Sequence, residues 1–340
     1  MPEINNNLIV SASPHFRSKT TTQSIMLDVI IALCPALIAS AIIFGYRTLL
    51  VTAVSVVASV FFEWASRKIM KRSNTISDLS AVVTGMLLAF NLPSTMPLWM
   101  VIIGDFTAIV IVKQFFGGIG QNFVNPALIG RIVLMSSFTQ QIGNFVAPFA
   151  YKNSVDAITS ATPLATLNGI SSAENVKMAM ESAEIPSLLD MFLGVRGGCF
   201  GETCVVAILI GFIYLLIRKV ISPVIPLTYI GTVAVIMLIA GKGNFTFMLY
   251  EIMAGGLFLG AIFMATDYTT SPVTFKGRII YALGCGIVTS LIRIFGSLPE
   301  GVSFSIILMN ILVPHIENLT TPRPFGEQKE KKNKREAKAE

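Results

Sequence analysis

Residues 24–44 read SIMLDVIIALCPALIASAIIF, and Asp28 is the only charged side chain in this run. An α-helix needs about 20 apolar residues to cross the hydrocarbon core of a bilayer. Similar runs recur along the chain, in which 53% of the 340 residues are hydrophobic and 13% are charged. Soluble domains carry roughly 25% charged residues. The composition therefore predicts an all-α, polytopic membrane protein.

The apolar runs predict about ten membrane-spanning segments. Eight are long enough to cross the bilayer, and two are short because Pro93 ends one and Pro126 begins the other. The full spans are 24–44, 48–66, 97–115, 202–219, 223–241, 247–265, 277–295 and 301–318, and the short segments are 79–92 and 126–138. The first helix is expected to be retained, because its run lacks the small-residue site of a cleavable signal peptide. An even number of crossings places both termini on one side.

Lysine and arginine residues predict the orientation. They are concentrated in the segments that a cytoplasmic N-terminus would place inside, so the positive-inside rule predicts two cytoplasmic termini. Half of the net charge of +6 comes from the solvated tail, so the charge does not indicate a nucleic-acid partner. The expected units are a cytoplasmic segment 1–23, a first membrane repeat 24–138, an extracytoplasmic loop 139–200, a second membrane repeat 201–318 and a basic cytoplasmic tail 319–340.

The two membrane blocks show a weak internal similarity. Residues 113–121, KQFFGGIGQ, align with residues 292–300, IRIFGSLPE, at an offset of 179 positions. Each block has five segments, and an odd number requires the two halves to cross the bilayer in opposite directions. The pattern predicts two inverted five-segment repeats. Chance similarity between glycine-rich membrane helices is the alternative.

The spacing of the cysteines gives no sign of a metal site. Cys34, Cys199, Cys204 and Cys285 form no Cys-x-x-Cys pair and have no histidine at metal-ligand spacing, so no metal site is predicted.

Ionisable side chains within apolar runs are costly in a bilayer and are therefore functional candidates. We expect Asp105, Glu251 and Asp267 to mark an ion pathway. Asp105 lies near the middle of its span and before a glycine-rich turn. It is a candidate for holding Na⁺ or H⁺ in transit, or for a buried ion pair with Arg131.

Residues 156–163 read DAITSATP and lie in the polar stretch between the membrane blocks. The small side chains before Thr162 leave its hydroxyl open to a modifying enzyme, and a hydroxyl can carry a phosphate ester. Pro163 removes a backbone donor and fixes the turn directly after it. The alternative is that this string is a polar surface turn or a helix N-cap.

Several longer motifs occur together in the chain. They are KQFFGGIGQNFVNPA at 113–127, TSATPLA at 159–165, GET at 201–203, FMATD at 263–267, TSP at 270–272, GR at 277–278 and PEGVSF at 299–304. Through them, almost the whole chain resembles the D subunit of the Rnf complex, a ferredoxin:NAD oxidoreductase of membranes. It also resembles the B subunit of the sodium-pumping NADH:quinone oxidoreductase.

The resemblance implies that a flavin transferase links the phosphate of FMN to Thr162. The family pattern is of the kind Asp-Gly-x-Ser-Gly-Ala-Thr, and Asp156, Thr159, Ser160 and Ala161 occupy the corresponding positions together with Pro163 after them. Ala157, Thr159 and Ser160 stand where Gly, Ser and Gly are common, and these departures are small in volume. The resemblance also implies a second, non-covalent flavin, riboflavin.

A glycine-rich turn is the second candidate cofactor contact. Gly117 and Gly118 let backbones approach one another or a ring closely, and the amides of Asn122 and Asn125 could bind the polar edge of a flavin or an ion. The turn lacks the Lys-Ser/Thr ending of a nucleotide P-loop. Helix packing alone is the alternative role.

The resemblance implies an electron-transfer subunit with no NAD motif and no catalytic residue of its own. It would act in a bacterial cell membrane with Rnf subunits A, B, C, E and G, which would bring the ferredoxin and NAD sites. Electron transfer would be coupled to movement of Na⁺ or H⁺. A non-redox ion or solute channel or transporter is the alternative, because inverted repeats also build transporters. Such a protein has no need of the Thr162 string.

Overall fold

A computed structural model of the protein describes residues 20–152, 162–171, 185–296 and 300–322. These residues form helices and turns, with no strand among them. The first half has five helices, of which the fourth continues as a π-helix. They are α1 (Thr22–Phe44), α2 (Arg47–Ile69), α3 (Ser80–Phe90), α4 (Leu98–Phe106, continued by the π-helix Thr107–Gln114) and α5 (Pro126–Ser137).

Among the described residues, three shorter α-helices follow, and a second set of membrane helices comes after them. The short helices are α6 (Thr139–Ile142), α7 (Pro163–Ser171) and α8 (Leu188–Leu193). The second half consists of α9 (Val205–Ile217), α10 (Val224–Ala240), α11 (Phe245–Met253), α12 (Leu257–Leu259, continued by the π-helix Gly260–Met264), α13 (Phe275–Phe295) and α14 (Val302–Thr320).

Every predicted membrane segment contains a helix, so the prediction of an all-helical, polytopic membrane protein is confirmed. Among the described residues, four helices are long and apolar enough to cross a membrane by themselves: α1, α2, α13 and α14. The others are shorter, and α9 covers only 13 residues of the predicted span 202–219. The multi-pass character follows from the four long helices together with the shorter apolar ones.

One predicted span is wrong as a single helix. Residues 247–265 form two pieces, α11 and α12 with its π-helix, which are bent by 64° at a short break. Gly255 lies in this break with φ of +65°, a left-handed conformation that glycine adopts without the steric cost of a Cβ atom. The apolar composition continues through the break, so hydropathy alone could not locate it.

Five helices of the second half have a counterpart in the first half, and α11 is left without one. Shifted by the 179 positions of the sequence alignment, α1, α2, α3, α4 and α5 overlap α9, α10, α12, α13 and α14, respectively. Two of the five corresponding pairs pack together across the halves, α1 against α9 and α5 against α14. A pseudo-two-fold axis between two repeats produces such pairs, so the packing fits the inverted-repeat architecture.

Both halves contribute to one buried apolar core, and large apolar side chains also cover the outside. Phe90 of α3 meets Phe200 edge to face in the core, with 5.9 Å between ring centroids. Ile38, Ile42 and Val57 are more than half exposed on α1 and α2. Exposed aliphatic side chains along long helices are suited to contact with lipid.

Local signals explain where several helices begin. Thr21 caps α1: its side chain accepts a hydrogen bond from Ser24 N, and the Ser24 hydroxyl accepts one from the Thr21 backbone N–H, forming a capping box. Asn125 caps α5 by accepting from Ala127 N, and Pro126 occupies the first helical position. The second cap fixes one end of the glycine-rich turn.

Candidate functional sites

A cavity of about 280 Å³ lies between the two halves. We call it the inter-repeat cavity. It is bordered by the first turns of α1, the start of α3, the end of the π-helix after α4 and the end of α9, which places it at the end of the helix bundle where α1 begins. Its polar lining includes Lys113, Asn122, Asn125, Thr266, Asp267 and Thr269. Its apolar wall draws on the first two turns of α1, on α3, on the end of α9 and on the π-helix after α12.

The turn at 117–125 meets this cavity through its asparagines. Asn122 Nδ2 donates to Val124 O at 3.1 Å and to Thr269 Oγ1 at 3.0 Å, which ties the turn to the second half. Asn125 is the cap of α5 and also lines the cavity. Of the sequence-predicted cofactor contacts, the structure therefore brings Asn122 and Asn125 to a cavity.

Gly117 and Gly118 lie on another side of the turn, against Arg67. Both have positive φ angles, and a Cβ atom on Gly118 would stand 2.1 Å from Arg67 Nη2. Neither glycine lines the inter-repeat cavity. Packing against the Arg67 guanidinium therefore explains why position 118 is a glycine.

Asp267 follows the π-helix of α12 and faces the same cavity. Its carboxylate accepts from Thr269 Oγ1 at 2.9 Å and from Thr270 Oγ1 at 3.3 Å. Burial raises the pKa of Asp267 above its ordinary value, whereas bonds from these threonines and the positive charge of Lys113 oppose the rise. The side chain is thus a titratable group at the wall of the cavity.

Lys113 brings a buried ion pair to the cavity wall. Its Nζ atom lies 2.8 Å from Glu63 Oε2 and 2.6 Å from Ser80 Oγ. The lysine is 3% exposed and the glutamate is fully buried. The sequence alone does not reveal this pair. Glu63 lies in the predicted span 48–66 and Lys113 lies near the cytoplasmic end of the predicted span 97–115, and hydropathy does not show that the two side chains meet.

Thr162 lies directly before α7. Its Oγ1 atom is 3.4 Å from Ala165 N, and its carbonyl oxygen accepts from Ala165 N at 2.9 Å, so the residue occupies the N-cap position. The side chain is partly exposed, and Pro163 begins the helix. Asp156, Thr159, Ser160 and Ala161 lie outside the described residues.

Helix α7 is anchored to the membrane helices through its apolar side. Leu164 and Leu167 are buried against Phe247 of α11 and Met191 of α8. Leu164 also reaches the α11–α12 break, because a Cβ atom on Gly255 would lie 3.0 Å from Leu164 Cδ2. The same position on Gly255 would lie 3.4 Å from Arg293 Nη2, and Arg293 is in the last turn of α13, so α7 and the hydroxyl of Thr162 lie at the end of the bundle where α13 ends.

Buried charges surround the same break. Arg293 Nη1 lies 3.2 Å from Glu251 Oε2, and its Nη2 atom donates to Ala254 O at 3.1 Å. Both side chains of this pair are almost completely buried. Glu251, predicted as part of an ion pathway, thus has an arginine partner that also holds the end of α11.

Arg131 does not pair with Asp105, and that predicted alternative is wrong. Its guanidinium donates to Asn91 Oδ1 at 2.9 Å and Ser303 Oγ at 3.0 Å, and it forms an ion pair with Glu300. The two residues do not meet because they lie on different faces of their helices. Arg131 of α5 points to the second half, whereas Asp105 of α4 points to α2. Glu300, which lies in the PEGVSF motif, was missed as a partner.

Asp105 instead contacts two hydroxyl groups of α2. Ser55 Oγ and Ser59 Oγ both lie 2.8 Å from Asp105 Oδ1, and the aspartate is fully buried. Its Oδ2 atom has no hydrogen-bond partner within the part of the chain that the structure describes.

Comparison with known proteins shows what the chain is similar to. The NQR2, RnfD, RnfE family model matches residues 9–326. The chain is 47% identical to the D subunit of the Na(+)-translocating ferredoxin:NAD(+) oxidoreductase complex of Acetobacterium woodii, covering 98% of this chain and 99% of that protein. It is 41% identical to the D subunit of the proton-translocating ferredoxin:NAD(+) oxidoreductase complex of Clostridium ljungdahlii, covering 94% and 97%. It is 33% identical to the D subunit of the ion-translocating oxidoreductase complex of Yersinia enterocolitica, covering 94% and 99%.

Proposed function

The chain belongs to the NQR2, RnfD, RnfE family, and from this premise we propose that it is the membrane flavoprotein subunit of an Rnf-type ferredoxin:NAD oxidoreductase. End-to-end similarity to relatives that are named as the D subunits of such complexes carries this proposal. The chain would act as an electron-transfer subunit with partners A, B, C, E and G, which would supply the ferredoxin and NAD sites.

We further propose that Thr162 carries FMN through a phosphoester. The residue fits this group, because its hydroxyl is partly exposed and stands at the N-terminus of α7. Backbone N–H groups and the helix dipole favour a phosphate at such a position. Pro163 lacks an N–H group, so Leu164 and Ala165 would provide the first donors. The buried side chains of Leu164 and Leu167 would keep the tether in place.

The inter-repeat cavity is the proposed site of the non-covalent riboflavin. Its volume is close to the lower end of ligand pockets, which begin at roughly 300 Å³. One wall is apolar and would accept a flat ring, and the amide of Asn122 and the hydroxyl of Thr269 could bind a polar edge. A flavin supplies one- or two-electron transfer when bound, and the chain would hold and orient it.

These two sites lie at opposite ends of the bundle. The cavity meets the beginning of α1, whereas α7 follows the end of the first half and packs beside the break after α11. With cytoplasmic termini, the cavity would face the cytoplasm and Thr162 the outside. This separation supports a role in moving electrons across the bilayer, coupled to Na⁺ or H⁺ translocation.

Replacing Thr162 with alanine is expected to abolish covalent flavin, because no other group would accept the phosphoester. The measurement is flavin fluorescence of the purified chain on a denaturing gel, followed by mass analysis of the peptide that contains Thr162. Thr166→Ala is the matched control, since it removes a hydroxyl from the same helix one turn later. Fluorescence that persists in Thr162→Ala, or is absent from the wild type, would contradict the assignment.

The Thr162→Ala protein also isolates the second flavin. Acid extraction of this variant is expected to release riboflavin in a ratio of one molecule to one chain, because the inter-repeat cavity is far from α7. Chromatography of the extract identifies the flavin. Release of FMN in place of riboflavin would contradict the second site, and release of no flavin would leave the proposed function with the covalent site alone.

A further inference from the structure

Asp105 belongs to a closed group of polar atoms inside the first half. Ser55 Oγ lies 2.8 Å from Asp105 Oδ1 and also 2.8 Å from the carbonyl oxygen of Gly85. Ser59 Oγ is 2.8 Å from the same carboxyl oxygen. Ser55, Ser59 and Asp105 are all fully buried. Three hydrogen-bonding contacts therefore connect two hydroxyl groups, one carboxyl group and one carbonyl group.

The number of hydrogen atoms available for these contacts indicates whether the carboxyl group of Asp105 is protonated. Each serine hydroxyl has one hydrogen to donate, and a carbonyl oxygen can only accept. Ser59 donates to Asp105 and Ser55 donates to Gly85 O, which leaves the contact between Ser55 and Asp105 without a hydrogen. That contact is satisfied when Asp105 is protonated and donates to Ser55 Oγ. An ionised carboxylate can only accept and would leave one of the three contacts unmade.

The charges around Asp105 favour the same state. The buried cations on the helices packed against it have other partners. Arg131 of α5 bonds to Asn91, Ser303 and Glu300, Lys113 bonds to Glu63 and Ser80, and Arg67 of α2 bonds to the carbonyl oxygens of Ser73 and Gly117. Within the described residues, Asp105 forms no ion pair. An unpaired buried carboxylate carries a large desolvation cost and gains a proton to avoid it.

The contacts distinguish a proton from a metal cation. A hard cation is held by several oxygen atoms arranged around it. Here both hydroxyl groups lie at hydrogen-bond distance from Oδ1 itself, and Oδ2 has no polar partner among the described residues. The polar atoms thus surround one carboxyl oxygen and fit a proton on it.

The group lies on a polar face of α2 that leads to the inter-repeat cavity. Ser55, Ser59 and Glu63 follow at intervals of four residues, so they share one side of the helix, and all three are fully buried. Successive members are about 6 Å apart along the helix axis. Glu63 contacts Lys113, which lines the cavity. A row of buried polar side chains thus runs along α2 from the acid to the cavity wall.

We propose that Asp105 is a proton-binding acid of the ion pathway, which holds a proton at rest and releases it along this face of α2 during turnover. In the step, the hydroxyl groups first reorient, so that Asp105 donates to Ser59 and Ser59 donates to a bridging water on the side of Glu63. The Asp105 O–H bond then breaks as Ser59 accepts that proton and releases its own to the water, the water gives up a proton in turn, and an O–H bond forms on Glu63. Asp105 becomes the carboxylate and Glu63 becomes neutral, so the total charge is unchanged. The inference rests on the ion coupling of the proposed function.

The resting state is tested on the purified full-length chain by infrared spectroscopy. Asp105→Asn keeps the shape of the side chain, and the two hydrogens of its amide NH2 group can be donated to the hydroxyl oxygens of Ser55 and Ser59, so it is expected to fold. We expect it to lose one carboxylic-acid C=O band that shifts in deuterated water. Asp28→Asn is the matched control, because Asp28 pairs with Arg218 and its replacement should leave this band in place. A band that is unchanged in Asp105→Asn would overturn the proposal.

Turnover is tested with the complete complex in sealed vesicles supplied with reduced ferredoxin and NAD. Asp105→Asn is expected to lose proton movement while retaining NAD reduction, and Asp28→Asn should retain both. Proton movement that persists in Asp105→Asn would show a static proton and overturn the carrier role. If the wild-type complex does not reduce NAD with ferredoxin, the proposed function fails, whereas the infrared result still reports whether Asp105 binds a proton.

Discussion

Replacing Arg131 with methionine is expected to destabilise the protein by about 3–5 kcal/mol, the usual cost of breaking a buried ion pair from one side. Arg131 is 2% exposed and joins α5 to the end of α3, through Asn91, and to the start of α14, through Glu300 and Ser303. Its loss leaves the acceptor atoms of these partners without their donor. The measurement is the free energy of unfolding in detergent micelles, from a denaturant titration followed by circular dichroism.

Two further variants separate the buried charge from the rest of the effect. Arg218→Met is the control, because Arg218 pairs with Asp28 while remaining more than half exposed, and exposed pairs contribute little. Adding Glu300→Gln to Arg131→Met should recover part of the loss, because it removes the carboxylate that was left without its partner. An Arg131→Met protein as stable as Arg218→Met would show that Arg131 does not hold the two halves together.

The membrane segments were predictable because their cause is local. A run of apolar residues favours insertion into a bilayer whatever the rest of the chain does. The prolines at 93 and 126 correctly indicate the short segments. The break at Gly255 was not predictable in this way. Hydropathy stays high across it, and the helix is interrupted by the extended backbone of Ala254 and the left-handed backbone of Gly255.

The partners of buried charges were not predictable, because they depend on which helix faces meet. The sequence leaves Asp105 as one candidate partner of Arg131, yet the carboxylate that pairs with this arginine belongs to Glu300, 169 positions away. Lys113 and Glu63 are 50 positions apart, and hydropathy assigns them separately to a helix end and a span. Periodicity places a residue on a face of its own helix but does not identify the neighbouring helix.

The candidate sites also differ in whether the sequence alone identifies them. Thr162 is identified by a contiguous string, which the sequence displays directly, and the structure adds its N-cap position and the anchoring of α7. The inter-repeat cavity has no contiguous signal, because its wall draws on elements from both halves. Asn122, Asn125 and Asp267 are each predicted for a separate reason, and only the fold shows that they share one cavity.

Replacing Lys113 with methionine is the second change with a large expected effect. It leaves the fully buried Glu63 without its cation, so we expect a loss of about 3–5 kcal/mol in the free energy of unfolding. The double variant Lys113→Met/Glu63→Leu is expected to be more stable than Lys113→Met alone, because apolar residues of similar volume replace both charges and no buried charge stays unpaired. Denaturant titrations of wild type, both single variants and the double variant measure this cycle.

The cycle also tests whether the pair has a role besides stability. If Lys113 and Glu63 only fill space between α2 and the π-helix after α4, the double variant should bind the extractable flavin as the wild type does. Because Lys113 lines the inter-repeat cavity, we expect the double variant to fold and yet retain less of that flavin. Additive losses from the two single variants would contradict the pairing itself, since residues in direct contact are coupled.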